Sequence, residues 1–381
     1  MKRTFRRGAV LLAVLAVIPL LSMCRRSSGD TAFDDYGEYA DTLTHHARLL
    51  TIADMGHGTV RVDIGTPDSD KPMARLALVH RDSVIPDSLA PDIRVIRTPV
   101  SSAAVFSSVH TGALDELGAL DALTAIADGN YLGSTDTVAA LVASGRVIDV
   151  GPSQSPSAER LVASRAQVIL STPYEGMTMP KLPENMTVVP CTDYLENTPI
   201  ARAEWLLLFG ELFGSREKAR AIFTDVIDRY SDLCFKAAGA SSPKPKVLTE
   251  AETSGVWYIP AGQSYMARML ADAGADYPWA YTDGTGSLAL NLETVAEKAI
   301  DADIWLLRTY GYKATPESLK KQNPRYAAFR PVREGTVYGC DTSVSPVFND
   351  IAFHPERVLA DYVAIFHPDV MPDYTLRYFS R

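Results

Sequence analysis

The stretch "SREKARAIFTDVIDRYSDLCFKAAG" limits what this chain can fold into more than any other. Its apolar positions, Ala219, Ile222, Phe223, Val226, Ile227, Tyr230, Leu233 and Cys234, recur at helical spacing without a break. The pattern predicts one helix over 215–238, about 35 Å long at about 1.5 Å per residue, the width of a small domain. "GASSPKPK" (239–246) then breaks the chain with Gly, Ser and Pro. A helix of that length in mid-chain divides the sequence in two.

Before it, "RLLTIADMGHGTVRVDIGTP" (48–67) and "ARLALVHRD" (74–82) alternate apolar and polar residues around a Gly56/Gly58 turn, which predicts an antiparallel β-hairpin extension over 45–85. From about residue 93 the period changes. "IRVIRTPVSSAAVF", "ALTAIAD", "VIDVG", "AQVILST" and "MTVVPC" alternate with helical segments near 110–120, 135–145 and within "SPSAERLVAS". Short apolar runs between helices point to a parallel sheet covered on both faces. After residue 246 the alternation returns as "VLTEAE", "GVWYIP", "ADIWLLRTY" and "GTVYGC", with helices at 263–274, around Glu293 and at 355–366. Thr198–Pro199 reads as N-cap and first helical residue of an amphipathic helix that runs to "ELFG". The expected fold is α/β: two Rossmann-like lobes of mostly parallel sheet, 37–198 and 244–381. Linking helices over 199–240, among them the long rigid one, join them, with a ligand cleft between the lobes.

Each lobe writes one phrase in the same way. "SPSAERLVASRAQVIL" puts Glu159 in the first turn of a short helix before an apolar strand, and "NLETVAEKAIDADIWLL" does so with Glu293. A glutamate there complements the helix dipole, worth about 0.3–1 kcal/mol. That explains either residue singly, but not the repetition.

The amino terminus is an address. Lys2, Arg3, Arg6 and Arg7 precede "GAVLLAVLAVIPLL", an apolar run too short to span a bilayer comfortably. It stops at "LSMC", which looks like a bacterial lipobox with Cys24 as the lipidated residue. Met23 departs from the small residue usual there, so a plain secretory signal stays open. Residues 1–23 are read as the leader and 24–36 as a lipid-anchored polar tether, with the protein held at the membrane on the periplasmic side. The chain's formal net charge of −9, without a Lys/Arg run, argues against nucleic acid as a partner. After Cys24 only Cys191, Cys234 and Cys340 remain, too few for a disulfide scaffold and read as buried thiols.

Signatures of catalysis are absent: the sequence holds no GxSxG, HExxH, CxxC, P-loop or GxGxxG. No enzymatic activity, intrinsic cofactor or metal site is expected. The seven histidines lie scattered without ligand spacing, and His110 and His354 read as structural residues that could each face a cleft. Aromatic residues are more telling. Tyr131 and Tyr174 fall in loops after strands of the first lobe; Trp257 with Tyr258, and Tyr310 with Tyr312, are placed after strands of the second. Ligands of parallel α/β sheets bind beyond the carboxyl ends of strands. Such loops on two lobes would line a cleft for a bulky, partly apolar ligand.

In this order of elements the chain resembles the helical-backbone class of ABC-transporter substrate-binding proteins (cluster A-III). The phrases that carry the likeness are "SSVHTGALDELGALDALTAIAD" (107–128), "ERLVASRAQVIL" (159–170), "GVWYIPAGQSYMARMLADAGADYPW" (255–279) and "NLETVAEKAIDADIWLL" (291–307). The closing "HPERVLADYVAIFHPDV" (354–370) is similar to the tail of Bacteroidetes-type members. The resemblance implies a receptor for a metal chelate (a ferric siderophore, haem or a corrinoid such as cobalamin) that serves a permease dimer and its ATPase. It further implies that Glu159 and Glu293 dock on arginines of the permease, with Glu297 as the alternative to Glu293. The expected ligand contacts are Tyr131, Tyr174, Trp257, Tyr258, Tyr310 and Arg308, the last facing carboxylates or phosphate. Few cationic residues stand in the expected cleft loops, which argues mildly against strongly anionic siderophores and leaves haem or a corrinoid open. A direct Zn/Mn receptor and an exported enzyme or adhesion lipoprotein on the same architecture are the alternatives.

Overall fold

The computed structural model describes residues 41–87, 89–129 and 136–381. The expected leader (1–23), Cys24, the expected tether (24–36), residues 37–40 and Tyr131 lie outside the described residues. Strands β1 (Asp41–Thr42), β2 (Leu50–Asp54), β3 (Thr59–Thr66) and β4 (Ser69–His80) pair antiparallel in order, and β5 (Arg94–Thr98) joins β4 in parallel. Alternation drives this sheet: in β3, Val60, Val62 and Ile64 are buried while Arg61 and Asp63 between them are not. The extension is therefore a five-stranded sheet, larger than the expected hairpin. "IRVIRTPVSSAAVF" supplies its last strand and only then begins the next sheet. Pro99 stands at the division, where it cannot donate to a ladder.

The first lobe's main sheet is all parallel. It consists of β6 (Ala103–Val105), β7 (Leu123–Ile126), β8 (Ile148–Asp149), β9 (Val168–Ser171) and β10 (Thr187–Pro190), in the order β10-β9-β6-β7-β8. Helices α1 (Ser108–Leu117), α2 (Asp136–Ala143) and α3 (Ala158–Ser164) make the crossovers. The link follows as α4 (Pro199–Ala203), α5 (Leu206–Phe213) and α6 (Arg216–Ala238). The Thr198 hydroxyl caps α4, accepting from the Ala201 amide at 3.1 Å. Helix α5 is not amphipathic as expected. Every residue of it is buried, because it packs against α1, β5 and α6 at once. Gly214 ends it in the left-handed region, φ 72°, which turns the chain into α6.

Helix α6 belongs to both lobes. Its first half buries Ala219, Phe223 and Val226 in the core of the first lobe. Its second half buries Tyr230, Leu233 and Ala237 in the core of the second. The second lobe comprises β11 (Val247–Thr249), β12 (Glu252–Thr253), β13 (Val256–Pro260), β14 (Ser287–Leu290), β15 (Ile304–Thr309) and β16 (Val337–Asp341). Around them lie α7 (Tyr265–Asp272), α8 (Leu292–Ala299), α9 (Pro316–Gln322), α10 (Arg330–Glu334), α11 (Val347–Asp350) and α12 (Pro355–Phe366). Strands β11, β15 and β16 form a parallel sheet, but β12, β13 and β14 form a separate antiparallel one. The α/β two-lobe architecture is as the sequence indicates, with a second lobe less uniformly parallel.

Buried carboxylates pin the joints. Glu204 accepts the backbone N–H groups of His45, His46 and Ala47 at 2.6–2.8 Å, and Glu196 accepts those of Arg48 and Leu49 and the indole of Trp205 at 3.0–3.1 Å. They tie the extension to the link. Asp361 does the same for the carboxyl-terminal tail, accepting from Tyr374, Arg377, Tyr378 and Phe379.

The lobes also meet away from α6. Ala352 and Phe353, just before α12, insert into the first lobe's core, where Phe353 packs edge-on to Phe209 at 5.5 Å. Beside them His354 joins Glu116 of α1 at 3.3 Å and Glu356 at 3.1 Å. Burial alone would lower the imidazole's pKa, but the two carboxylates outweigh it and hold it up at about 9. A folded pKa above the unfolded one gives stability that is full below about pH 6.5 and fades as pH rises through about 9. The free energy of unfolding from urea titrations should therefore fall across that window, by up to roughly 3 kcal/mol. In His354→Gln the fall should be absent.

Candidate functional site

Loops at the carboxyl ends of the two parallel sheets meet at one cavity, which Tyr194 lines from the first lobe and Glu250 from the second. On the first lobe, Ser153 follows β8, Tyr174 follows β9 and Tyr194 follows β10. The Tyr174 hydroxyl lies 3.3 Å from Ser153 Oγ, and the Tyr194 hydroxyl donates to the carbonyl of Pro173, so these three loops hold one another. On the second lobe, Glu250 follows β11, Tyr310 follows β15 and Thr342 follows β16. Tyr194 reaches across the gap: it lines a cavity of about 360 Å³ with Glu250, Tyr258, Tyr265, Met266 and Arg308. A second cavity, of about 610 Å³, shares Glu250 and Arg308 and continues along Tyr310, Tyr312, Gln322 and Phe348. Together they offer tyrosine faces and hydroxyls, suited to a bulky ligand that is part apolar.

A buried polar cluster supports Tyr194. Its neighbour Asp193, 2% exposed, meets His110 Nε2 at 3.1 Å and Arg202 Nε at 2.9 Å. Burial would raise the Asp193 pKa, but Arg202 and then His110 outweigh it and hold the carboxyl below its usual range. The Arg202 guanidinium in turn lies 4.6 Å from the centre of the Tyr265 ring on the other lobe. A chain of contacts thus runs from α1 through Asp193 to the far wall of the cleft. His110 is committed to Asp193, and His354 to Glu116 and Glu356. Among the described residues no three His, Cys, Asp or Glu side chains are grouped to hold a metal ion.

The structure redistributes the expected ligand contacts. Tyr258 and Tyr310, 52% and 62% exposed, line the cavities, and Arg308 lies where the two cavities join. Tyr174 is exposed and tied to Ser153, and it lines neither cavity. Trp257 is a correction. It is fully buried, stacked at 5.5 Å on Trp305, with its indole N–H donated to the Thr249 carbonyl at 3.0 Å. "GVWYIP" is a strand and not a loop, and its period of two turns Trp257 and Ile259 inward and Tyr258 outward. Arg308 is corrected in part: it is not waiting for an anion, since its guanidinium is paired with Glu250. Tyr194, Tyr265 and Glu250 escaped the sequence reading. Tyr194 was within reach, since it follows the strand "MTVVPC" as Tyr174 follows "AQVILST".

Glu159 and Glu293 occupy matching positions. Each is the second residue of its helix and exposed, behind a capping side chain: Ser157 accepts from Arg160 N for α3, and Asn291 accepts from Thr294 N for α8. Glu297 lies one turn farther on. The two sites differ in one respect: Arg325 contacts Glu293 at 2.5 Å and holds its carboxyl below the usual range.

Known proteins share this architecture. An uncharacterized lipoprotein of Methanocaldococcus jannaschii is 27% identical over 330 residues, 81% of this chain and 76% of its own. A periplasmic heme binding protein from Pseudomonas aeruginosa superposes with a TM-score of 0.55 at 19% identity, over 71% of this chain and 93% of that one. A component of an ABC-type Fe3+-hydroxamate transport system from Saccharomonospora viridis does so with a TM-score of 0.53 at 18% identity, over 70% and 93%. Among the described residues no helix is long and apolar enough to cross a membrane. The sequence profile described as "periplasmic binding protein" matches residues 104–344, a span that takes in the long shared helix and both walls of the cleft, and this chain belongs to that family.

Proposed function

We propose that this protein is the receptor of an ABC importer, anchored by lipid at Cys24, which captures a metal chelate between its lobes and presents it to a permease dimer and its ATPase. The observation that carries this reading is the cleft. Tyr194 of the first lobe meets Tyr258 and Tyr265 of the second over a cavity of about 360 Å³, and a cavity of about 610 Å³ adjoins it on the second lobe. Candidate ligands are a ferric siderophore, haem and a corrinoid. Titration of the purified protein with each, by calorimetry and absorbance, should give saturable binding well below millimolar. If none binds tighter than about 1 mM, equivalent to about −4 kcal/mol, the receptor reading fails.

For docking we assign Glu159 and Glu293 rather than Glu297, on their shared place two residues after a capping side chain. Exposed acids at matched sites on two lobes suit two arginines of a symmetric permease. Glu159→Arg and Glu293→Arg should each cut transport in membrane vesicles by about tenfold or more while chelate affinity stays unchanged. Loss of chelate affinity in either variant would refute the assignment.

A further inference from the structure

We infer that the cleft selects chelates of neutral or positive charge and rejects polyanionic ones, with Glu250 as the residue that sets this preference. The inference rests on the receptor reading above. Arg308 is the one cation lining the two cavities among the described residues, and its guanidinium is already bound to the Glu250 carboxylate. Both groups are mostly buried, with side chains 24% and 20% exposed, where water screens their attraction poorly. Phe348 covers the guanidinium further, 5.7 Å from its ring centre. The nearby Arg202 is likewise taken, by Asp193. Each guanidinium at the cleft wall thus arrives with its own counter-charge.

The surplus is negative. Glu252, half-buried in β12, lines the larger cavity and forms no ion pair among the described residues, so two carboxylates face one guanidinium. Lys313, the nearest cation in the Tyr310–Tyr312 loop, is exposed and does not line either cavity. Glu250 also holds a backbone φ of +59°, in the left-handed region that residues with a side chain seldom adopt. Such conformations persist only where the surrounding structure imposes them, and they cluster at functional sites. Here the result is a carboxylate directly after β11, laid against Arg308 of β15.

A ferric trihydroxamate has a neutral core, and one bearing a free ammonium is cationic; a ferric triscatecholate is triply negative. The wild-type protein should bind the trihydroxamates, or a neutral corrinoid, at least about tenfold tighter than the triscatecholate. Glu250→Gln frees the Arg308 charge and should shift that ratio at least about tenfold toward the triscatecholate. Arg308→Gln should shift it the other way, and it serves as the second variant should Glu250→Gln fail to fold by circular dichroism. A wild-type preference for the triscatecholate, or a ratio unmoved by the folded variants, overturns the inference and leaves the receptor reading intact. Absence of binding by every chelate overturns both.

Discussion

Replacing Asp193 with alanine should lower the protein's stability by about 3–5 kcal/mol, because it leaves the buried Arg202 guanidinium without its counter-charge. Arg202 is 5% exposed and Asp193 2%, so neither can turn to water instead. Folding of the first lobe, followed by urea denaturation, should show the loss. The Asp121–Arg146 pair makes a matched control. At 2.6 Å it is the shorter contact, yet its carboxylate is 96% exposed, and Asp121→Ala should cost at most about 1 kcal/mol. Distance alone would rank the pairs in the opposite order. The effect also has a sign in pH. Asp193 has a folded pKa below its unfolded value of 3.8, so its contribution is present above about pH 4 and is lost as pH falls further. The gap between wild type and Asp193→Asn should therefore close in acid.

The second large effect separates two neighbours in one strand. Trp257→Ala empties the centre of an aromatic cluster in which Trp305, Tyr326 and Phe329 all lie within 6.0 Å of its ring. A cavity of that size costs about 3–5 kcal/mol. Tyr258→Ala, one residue on and facing the cleft, should stay within about 0.5 kcal/mol of wild type. Thermal melts of the two variants decide the matter. Equal losses would mean that β13 does not alternate as described, and a stable Trp257→Ala would return the indole to the cleft.

That pair also marks where the sequence stops being legible. The long helix could be read to within a residue, because its stripe runs for more than five turns and no other structure has that period. The parallel strands of the first lobe were legible for a similar reason, as apolar runs set between capped helices. "GVWYIP" is too short for its period to say which face is inside, and nothing local tells a strand of a parallel sheet from one of an antiparallel sheet. The Arg308–Glu250 pair spans 58 positions, and no local pattern joins residues that far apart. The same holds for Glu196 and Glu204, whose partners lie about 150 positions earlier in the chain. They stand in "DYLENTPIARAEWLLLFG" as acids beside an apolar run, and only the fold shows that backbone amides of residues 45–49 satisfy them. What the sequence did carry was the repeated helix start. It matched Glu159 to Glu293 by phrase, and the caps at Ser157 and Asn291 give that match a structural basis.

The claim on which the rest depends is that one ligand touches both lobes at once. The direct measurement is calorimetric titration of the tightest-binding chelate into wild type, Tyr194→Ala of the first lobe and Tyr258→Ala of the second. Both substitutions should weaken binding by about tenfold or more, the loss of about 1.4 kcal/mol expected when a well-packed aromatic contact is removed. Binding weakened by only one of the two substitutions would place the ligand on a single lobe, and binding unaffected by both would place it outside the cleft; either result contradicts capture between the lobes.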